Sequence, residues 1–320
     1  MRVLIIGGHG FVGRHLAHHL VSCGDDVALT YLPREKETLD QLKPALPKSA
    51  QSLALDITDA KAVGDLVALL KPDAIYHLAA LTFIPEVESD FGTAFQVNTM
   101  GAIHVLDAVS KVSKDSRFLY VSSSEVYGDP KPGSLPLVES AVLRPVNTYG
   151  ISKAAADLAA FKYAFHEGIH ALRVRPFPHI GPGQSEKFSV SGFAKQVAEI
   201  KLGKATPKIQ VGNLEAKRDF SDVSDIIRGY REVLLNGKRG DVYNLCSGKS
   251  TSVGDVLKKL VEMGGVEVEI EVDESRVRPI EVMESYGSSQ KVQKEFGWKP
   301  RIELDSTLQS LLDFWLEHSS

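Results

Sequence analysis

An apolar run, Val3 to Ile6, leads directly into Gly7-Gly-His-Gly-Phe-Val-Gly13, and a helical pattern follows to Ser22. A strand turning through three spaced glycines into a helix leaves few folds open. Gly7 permits the tight turn, Gly10 lets a ligand approach the backbone, and Gly13 lets helix and strand pack closely. The helix start offers unpaired N–H groups and a positive dipole end to an anion. The expectation is a pyrophosphate cradle made by Gly7, Gly10, Phe11, Val12 and Gly13; the alternative is a plain strand-turn-helix corner.

Short apolar runs continue at Val27 to Leu29, Leu53 to Leu55, Ala74 to Leu78, Phe118 to Val121 and Ala171 to Val174. Helical patterns lie between them at Ala60 to Leu70, Thr93 to Val112 and Tyr149 to His166. Fully apolar strands need cover on both faces, so the pattern predicts an α/β fold with a doubly wound parallel sheet, Rossmann-like. After Pro176 the texture breaks into PFPHIGPGQSEKF, where a smaller, interleaved C-terminal substrate lobe is expected to begin. Asp222 to Leu234 followed by GDVYNLCSG again reads helix then buried strand. The predicted division is therefore 1–176 with 222–247 returning to it, against 177–221 and 248–320. Val266, Val268, Ile270 and Val272 alternate with acids, as in a strand with one wet face.

The tip of the second strand commonly discriminates NAD from NADP, because an acid there binds the ribose 2′-OH and would repel a 2′-phosphate. Here the residue is Tyr31, with Arg34 close behind, so NADP(H) is favoured and NAD(H) stays possible. Asp56 is a candidate for the adenine amino group, or a cap for its own turn. Ile57 beside it, and Leu78, Ala79 and Ala80 after the fourth strand, complete the expected cofactor wall with Asn98.

Tyr149-Gly-Ile-Ser-Lys153 sets a phenol and an amine one helical turn apart, behind Asn147-Thr148, which can cap a helix start. At roughly 5 Å and an effective dielectric near 20, the ammonium would favour the phenolate by about 3 kcal/mol, or about two pKa units. The fifth strand ends in Ser122-Ser-Ser-Glu125, placing hydroxyls at the carboxyl edge where doubly wound sheets bind ligands. Singly these are ordinary helix and turn residues; together, behind a dinucleotide loop, they form a proton-transfer constellation.

With GGHGFVG, HLAA at His77 to Ala80, QVNTMG around Asn98, SSSEVYG, YGISK, RDFSDVSD, GDVYNLCSG and FGWKP, nearly the whole chain resembles the extended short-chain dehydrogenase/reductases that act on nucleotide sugars. HIGPGQ and VGNLEAKRDFSDV are most similar to the GDP-4-keto-6-deoxy-D-mannose reductase group, a near relative of GDP-mannose 4,6-dehydratase. The resemblance implies Tyr149 as acid/base, Lys153 as its tuner and a ribose ligand, and Ser123 as a hydrogen bonder to the substrate oxygen. It implies reduction of a C4 ketone to GDP-D-rhamnose. Glu125 stands where the dehydratases keep a catalytic glutamate, so elimination or 4-epimerisation with tightly bound NAD(P) stays open. A non-catalytic dinucleotide sensor is the reading from another class. For the nucleotide diphosphate and sugar the resemblance points to Ser124, Arg218, Arg278, Glu281 and, more weakly, Lys195. It also implies a homodimer through the Thr93 to Val112 and Tyr149 to His166 helices, the latter crowded with alanine. Pro178 replaces the family's usual asparagine, removing a side-chain amide and a backbone donor.

Composition narrows the partners. The net charge of −4 gives no basic excess for a nucleic-acid backbone. Cys23 and Cys246 form no CxxC, no apolar run approaches a membrane span, and MRVLIIGGHG lacks a basic n-region, so a cytoplasmic chain without membrane partner or metal is expected. His15, His18 and His19 share metal-like spacing on one helix, but no acid accompanies them, and a solvated face is expected instead.

Overall fold

The computed structural model describes residues 1–33, 45–277 and 282–319. Seven parallel strands form the main sheet: β1 (Arg2–Ile6), β2 (Asp26–Tyr31), β3 (Gln51–Ala54), β4 (Ala74–His77), β5 (Arg117–Val121), β6 (His170–Pro176) and β8 (Val242–Leu245). Their order, β8-β6-β5-β4-β1-β2-β3, reverses at β1, and the crevice at such a reversal is where doubly wound sheets bind ligands. The α/β, Rossmann-like class expected from the alternation of patterns is the one observed.

β1 and β4 are apolar because both their faces are covered. On one face α1 (Phe11–Ser22) and α6 (Val223–Asn236) bury Leu16, Leu20, Ile226 and Val233. On the other, α2 (Ala60–Leu70), α3 (Gly101–Val112) and α4 (Thr148–Lys162) bury Val63, Val67, Val105, Val109, Ala156 and Ala160. Each large aliphatic chain taken from water contributes roughly 1.5 to 3 kcal/mol, so the two layers hold the sheet from both sides. Ala156 and Ala160 of α4 pack toward the sheet, and its outer face carries Ile151, Leu158 and Phe161, all exposed.

A second apolar cluster joins α5 (Ser189–Lys201), α7 (Val253–Gly264) and α8 (Leu304–His318) under a parallel ribbon of β7 (Lys208–Val211) and β9 (Glu269–Val272). The acids of RDFSDVSD staple this lobe to the sheet. Asp219 accepts from the Ser247, Gly248 and Gly287 amides at 2.7, 2.9 and 3.2 Å. Asp222 caps α6 through the Ser224 amide and also binds Thr307, while Asp225 takes the Arg301 and Ile302 amides. The Trp298 indole of FGWKP is buried and donates to the Asp225 carbonyl at 3.1 Å.

Three local expectations need correction. The helix predicted over Thr93 to Val112 is interrupted by a π-turn at Gln96–Met100, and a second π-turn at Tyr163–Glu167 follows α4. The strand expected over Val266 to Asp273 shrinks to β9, whose Ile270 and Val272 are exposed; among the described residues β9 pairs with β7 alone. Of the three histidines on α1, His15 is not solvated, since its Nε2 lies 2.8 Å from the Pro182 carbonyl. No described helix is long and apolar enough to cross a membrane, and no described group of histidines, cysteines and acids could hold a metal.

Candidate active site

The carboxyl ends of the central strands open on a cleft of about 1460 Å³, with the α5 and β7 side of the second lobe as its far wall. The glycine corner forms one end. Gly7 has φ of +84°, which only glycine adopts cheaply, and its amide donates to Thr30 Oγ1 at 3.0 Å. A Cβ on Gly13 would fall 2.5 Å from Gly8, whereas at Gly10 its nearest neighbour would be 3.4 Å away, so the loop is closed behind and open toward the cleft. Gly10 starts α1 with no side-chain cap. That leaves the dipole end of α1 to an anion.

The remaining wall suits a dinucleotide. Tyr31, Asp56, Ile57, Leu78, Ala79 and Ala80 line the cleft along the tips of β2, β3 and β4. Asp56 Oδ1 also accepts from the amide and hydroxyl of Thr58, so the turn-capping role read from sequence is present as well. Arg34 lies outside the described residues. Farther along, the buried hydroxyls of Ser122 and Tyr230 line the cleft without a described hydrogen-bond partner. Buried polar groups are ordinarily bonded, so these two hydroxyls mark a polar stretch of the cleft wall. The residues present therefore fit a nicotinamide dinucleotide.

β5 and α4 bring the proton-transfer residues together. Asn147 caps α4 through the Gly150 amide at 2.7 Å and donates its own amide to Glu125 Oε2 at 2.8 Å, which ties the helix start to the β5 tip. Ser123, Tyr149 and Lys153 all line the cleft, and the Ser123 side chain acts on the Tyr149 phenol. Lys153 is buried, and its Nζ donates to the Val121 carbonyl at 2.5 Å. Burial pushes the Tyr149 phenol up to about 12, against the smaller opposing effect of Ser123. Burial also pulls Lys153 down to about 7, with Asp157 opposing it. The shift differs from the lowering expected from Lys153: burial raises the phenol, Glu125 adds to it, Ser123 opposes it, and Lys153 is not among the groups that move it. At neutral pH Tyr149 is a phenol with a proton to give.

Other sequence candidates separate. Ser124 and Arg218 line the cleft, and the Arg218 guanidinium donates to the Lys217 carbonyl at 2.9 Å. Pro178 lines it too, with its carbonyl accepting from Ser221. Arg278 and Glu281 lie outside the described residues; Arg276, just before them, lines the cleft. Lys195 does not. It sits near Glu186 and Glu199 and over the Trp315 ring, because the α5 face toward the cleft carries Gly192 and Phe193. Asn98 is likewise not among the residues that line the cleft. It is buried in the π-turn, accepts from the Leu81 amide at 2.7 Å, and donates to the Leu81 carbonyl and Ser152 Oγ, both at 3.0 Å. Asn98 thereby pins the loop after β4 to α4.

Two contributors escape a reading of spacing. Glu88 binds the Thr148 amide and hydroxyl at 2.5 and 2.9 Å, a second clamp on the start of α4 from 60 residues away. Arg14, buried in the first turn of α1, donates to the His9 carbonyl at 2.7 Å and stiffens the glycine loop. Neither has a local pattern to betray it, although a charged residue within an otherwise apolar helix face is the kind of signal that marks Arg14.

Comparison with known proteins agrees with this geometry. A family model described as GDP-mannose 4,6 dehydratase matches residues 4–311. GDP-6-deoxy-D-mannose reductase of Pseudomonas aeruginosa is 33% identical over 98% of this chain and 97% of that protein. GDP-6-deoxy-D-talose 4-dehydrogenase of Aggregatibacter actinomycetemcomitans is 29% identical, over 93% and 92%. Among solved structures, RMD from Pseudomonas aeruginosa complexed with NADPH superposes with a TM-score of 0.85 at 32% identity, covering 99% of this chain and 100% of that one. This chain is therefore a member of the GDP-mannose 4,6 dehydratase family, within the extended short-chain dehydrogenase/reductases, and an oxidoreductase by descent.

Proposed function

We propose that this enzyme reduces the C4 ketone of GDP-4-keto-6-deoxy-D-mannose with NADPH, giving GDP-D-rhamnose and NADP. The observation that carries the reading is that Ser123 at the tip of β5 and Tyr149 and Lys153 on α4 line one cleft with the glycine corner, Lys153 bonding the end of β5. A phenol raised to about 12 stays protonated at neutral pH, and an acid is what a new alkoxide needs; the reverse, oxidative direction would ask it to be a base. The reductase likeness and the NADPH-bound relative support the same substrate and coenzyme.

In this reading the coenzyme, when bound, supplies a hydride to C4. Gly7, Gly10, Gly13 and the α1 start hold its pyrophosphate, Tyr31 and Asp56 the adenosine half, and Lys153 the ribose next to the nicotinamide. Ser123 hydrogen-bonds the substrate oxygen, Tyr149 gives it a proton, and Ser124 and Arg218 hold the sugar diphosphate. The second lobe, 177–221 and 248–320, is the substrate side. The exposed Ile151, Leu158, Phe161 and Phe165 on the outside of α4 and its π-turn suit a homodimer face. The enzyme is proposed to act in the cytoplasm.

The Glu125 carboxylate also lines the cleft, and that favours a second reading, elimination at C5–C6 of GDP-mannose. One assay separates the two. NADPH oxidation is followed over GDP-, dTDP-, UDP- and CDP-linked 4-keto-6-deoxy sugars, with product stereochemistry read by NMR. Selective oxidation with the GDP sugar is expected. Conversion of GDP-mannose to its 4-keto-6-deoxy form without net NADPH consumption would overturn the reductase reading.

A further inference from the structure

Helix α4 carries a third ionisable residue in line with the first two. Asp157 follows Lys153 by four residues, as Lys153 follows Tyr149, so the three share one face. Asp157 is wholly buried, where a lone carboxylate would be expensive in free energy. Two guanidiniums from β6 meet it. Arg173 Nη1 donates to Oδ1 at 2.8 Å, and Arg175 clasps both oxygens, Nε to Oδ2 at 2.9 Å and Nη2 to Oδ1 at 3.0 Å. Arg175 is itself steadied by donating to Tyr127 Oη and the Glu139 carbonyl, each at 3.1 Å. Buried ion clusters add little stability over apolar replacements, so folding alone does not account for this one beneath the catalytic pair.

We propose that Asp157 is a positioning residue that sets the charge on Lys153, with Arg173 and Arg175 holding its carboxylate ionised one helical turn below the amine. The proposal rests on the acid/base reading given above. Lys153 is faced by His77 of β4, by the Tyr120 ring of β5 at 4.6 Å, and by Tyr149 and Asp157 on its own helix. Glu125 and Tyr230 act on the Tyr149 end. Burial holds His77 neutral, down to about 3, and keeps the Tyr120 and Tyr230 phenols protonated. Burial alone would raise Asp157, but the two guanidiniums outweigh it and hold the carboxyl below its usual range. Asp157 is thus the negative charge that acts directly on the buried amine, opposing its loss of a proton.

The test is the pH profile of kcat/KM for NADPH oxidation in wild type, Asp157→Asn and Arg173→Gln. A reaction that needs the ammonium runs below the lysine pKa and fails above it. Asp157→Asn is expected to move the alkaline limb down by about one pH unit. Arg173→Gln leaves the carboxylate less neutralised and is expected to move the limb up, by less. Packing damage would lower activity at every pH or shift both limbs alike, and either result overturns the proposal. NADPH affinity against pH, read by nucleotide fluorescence, should show the same opposed displacements without turnover. A wild type that binds NADPH but does not oxidise it would sink the reductase reading alone, and the opposed binding shifts would still decide this one. If Asp157→Asn does not fold, an unmoved limb in Arg173→Gln is enough to reject the proposal.

Discussion

Lys153 Nζ donates a 2.5 Å hydrogen bond to the carbonyl of Val121, the last residue of β5, two positions before Ser123. One amine thus anchors α4 to the end of the strand that leads into Ser123. Holding it there costs stability, because burial pulls its pKa from 10.5 to about 7. Between those two values the unfolded chain binds the extra proton, so this group's contribution to stability improves as pH rises from about 7 toward 10.5. Lys153→Met should remove that penalty while leaving the Val121 carbonyl short of a donor. The expected net is a gain of roughly 1 to 3 kcal/mol at pH 7, seen as a higher Tm, with turnover lost. A lower Tm would show that the hydrogen bond, not desolvation, dominates at this site.

Tyr149→Phe removes one oxygen and leaves the ring. On the proposed mechanism the hydroxyl is the proton donor, so turnover should fall by about 10²- to 10⁴-fold. NADPH affinity, measured by fluorescence in the absence of sugar, should change little. Equal turnover in the two proteins would return the chain to the class of dinucleotide sensors.

Gly13→Ala should damage both binding and folding. The added carbon would sit 2.5 Å from the Gly8 main chain, so helix α1 must move away from the loop whose amides are meant for the pyrophosphate. Overpacking of this kind costs typically 1 to 3 kcal/mol, and NADPH affinity should drop more than tenfold. Gly10→Ala, with more room behind it, should lower affinity with a smaller loss of Tm.

The fold was legible because its signals are local. Glycines after β1, apolar strands and helical periodicity each report their own segment, and the pairing of Tyr149 with Lys153 is a one-turn spacing. What sequence reading missed depends on distance in the chain or on burial. Glu88 reaches Thr148 across 60 residues, and Asp157 looks like any helix acid until β6 brings two arginines to it. The shift of the Tyr149 phenol differs from the expected one for a related reason: spacing reveals a neighbouring amine but not the loss of water that raises the phenol. Lys195 failed because a family match names a helix without saying which of its faces looks into the cleft.

Asn98 makes the sharpest case of a residue moved from binding to architecture. It satisfies the Leu81 amide and carbonyl and the Ser152 hydroxyl at once, and Thr99 beside it donates to the Ser152 carbonyl at 2.9 Å. The π-turn delivers both side chains to α4, a use to which such turns are often put near functional sites. Asn98→Leu leaves several buried polar groups without partners, at about 1 to 3 kcal/mol each before relaxation. The expected result is a marked loss of Tm, with the NADPH affinity of the protein that stays folded little changed. If Asn98 touched the coenzyme directly, saturating NADPH would stabilise the wild type far more than the variant. Equal Tm increments on adding saturating NADPH, measured relative to each protein's own baseline, are what a purely architectural Asn98 requires.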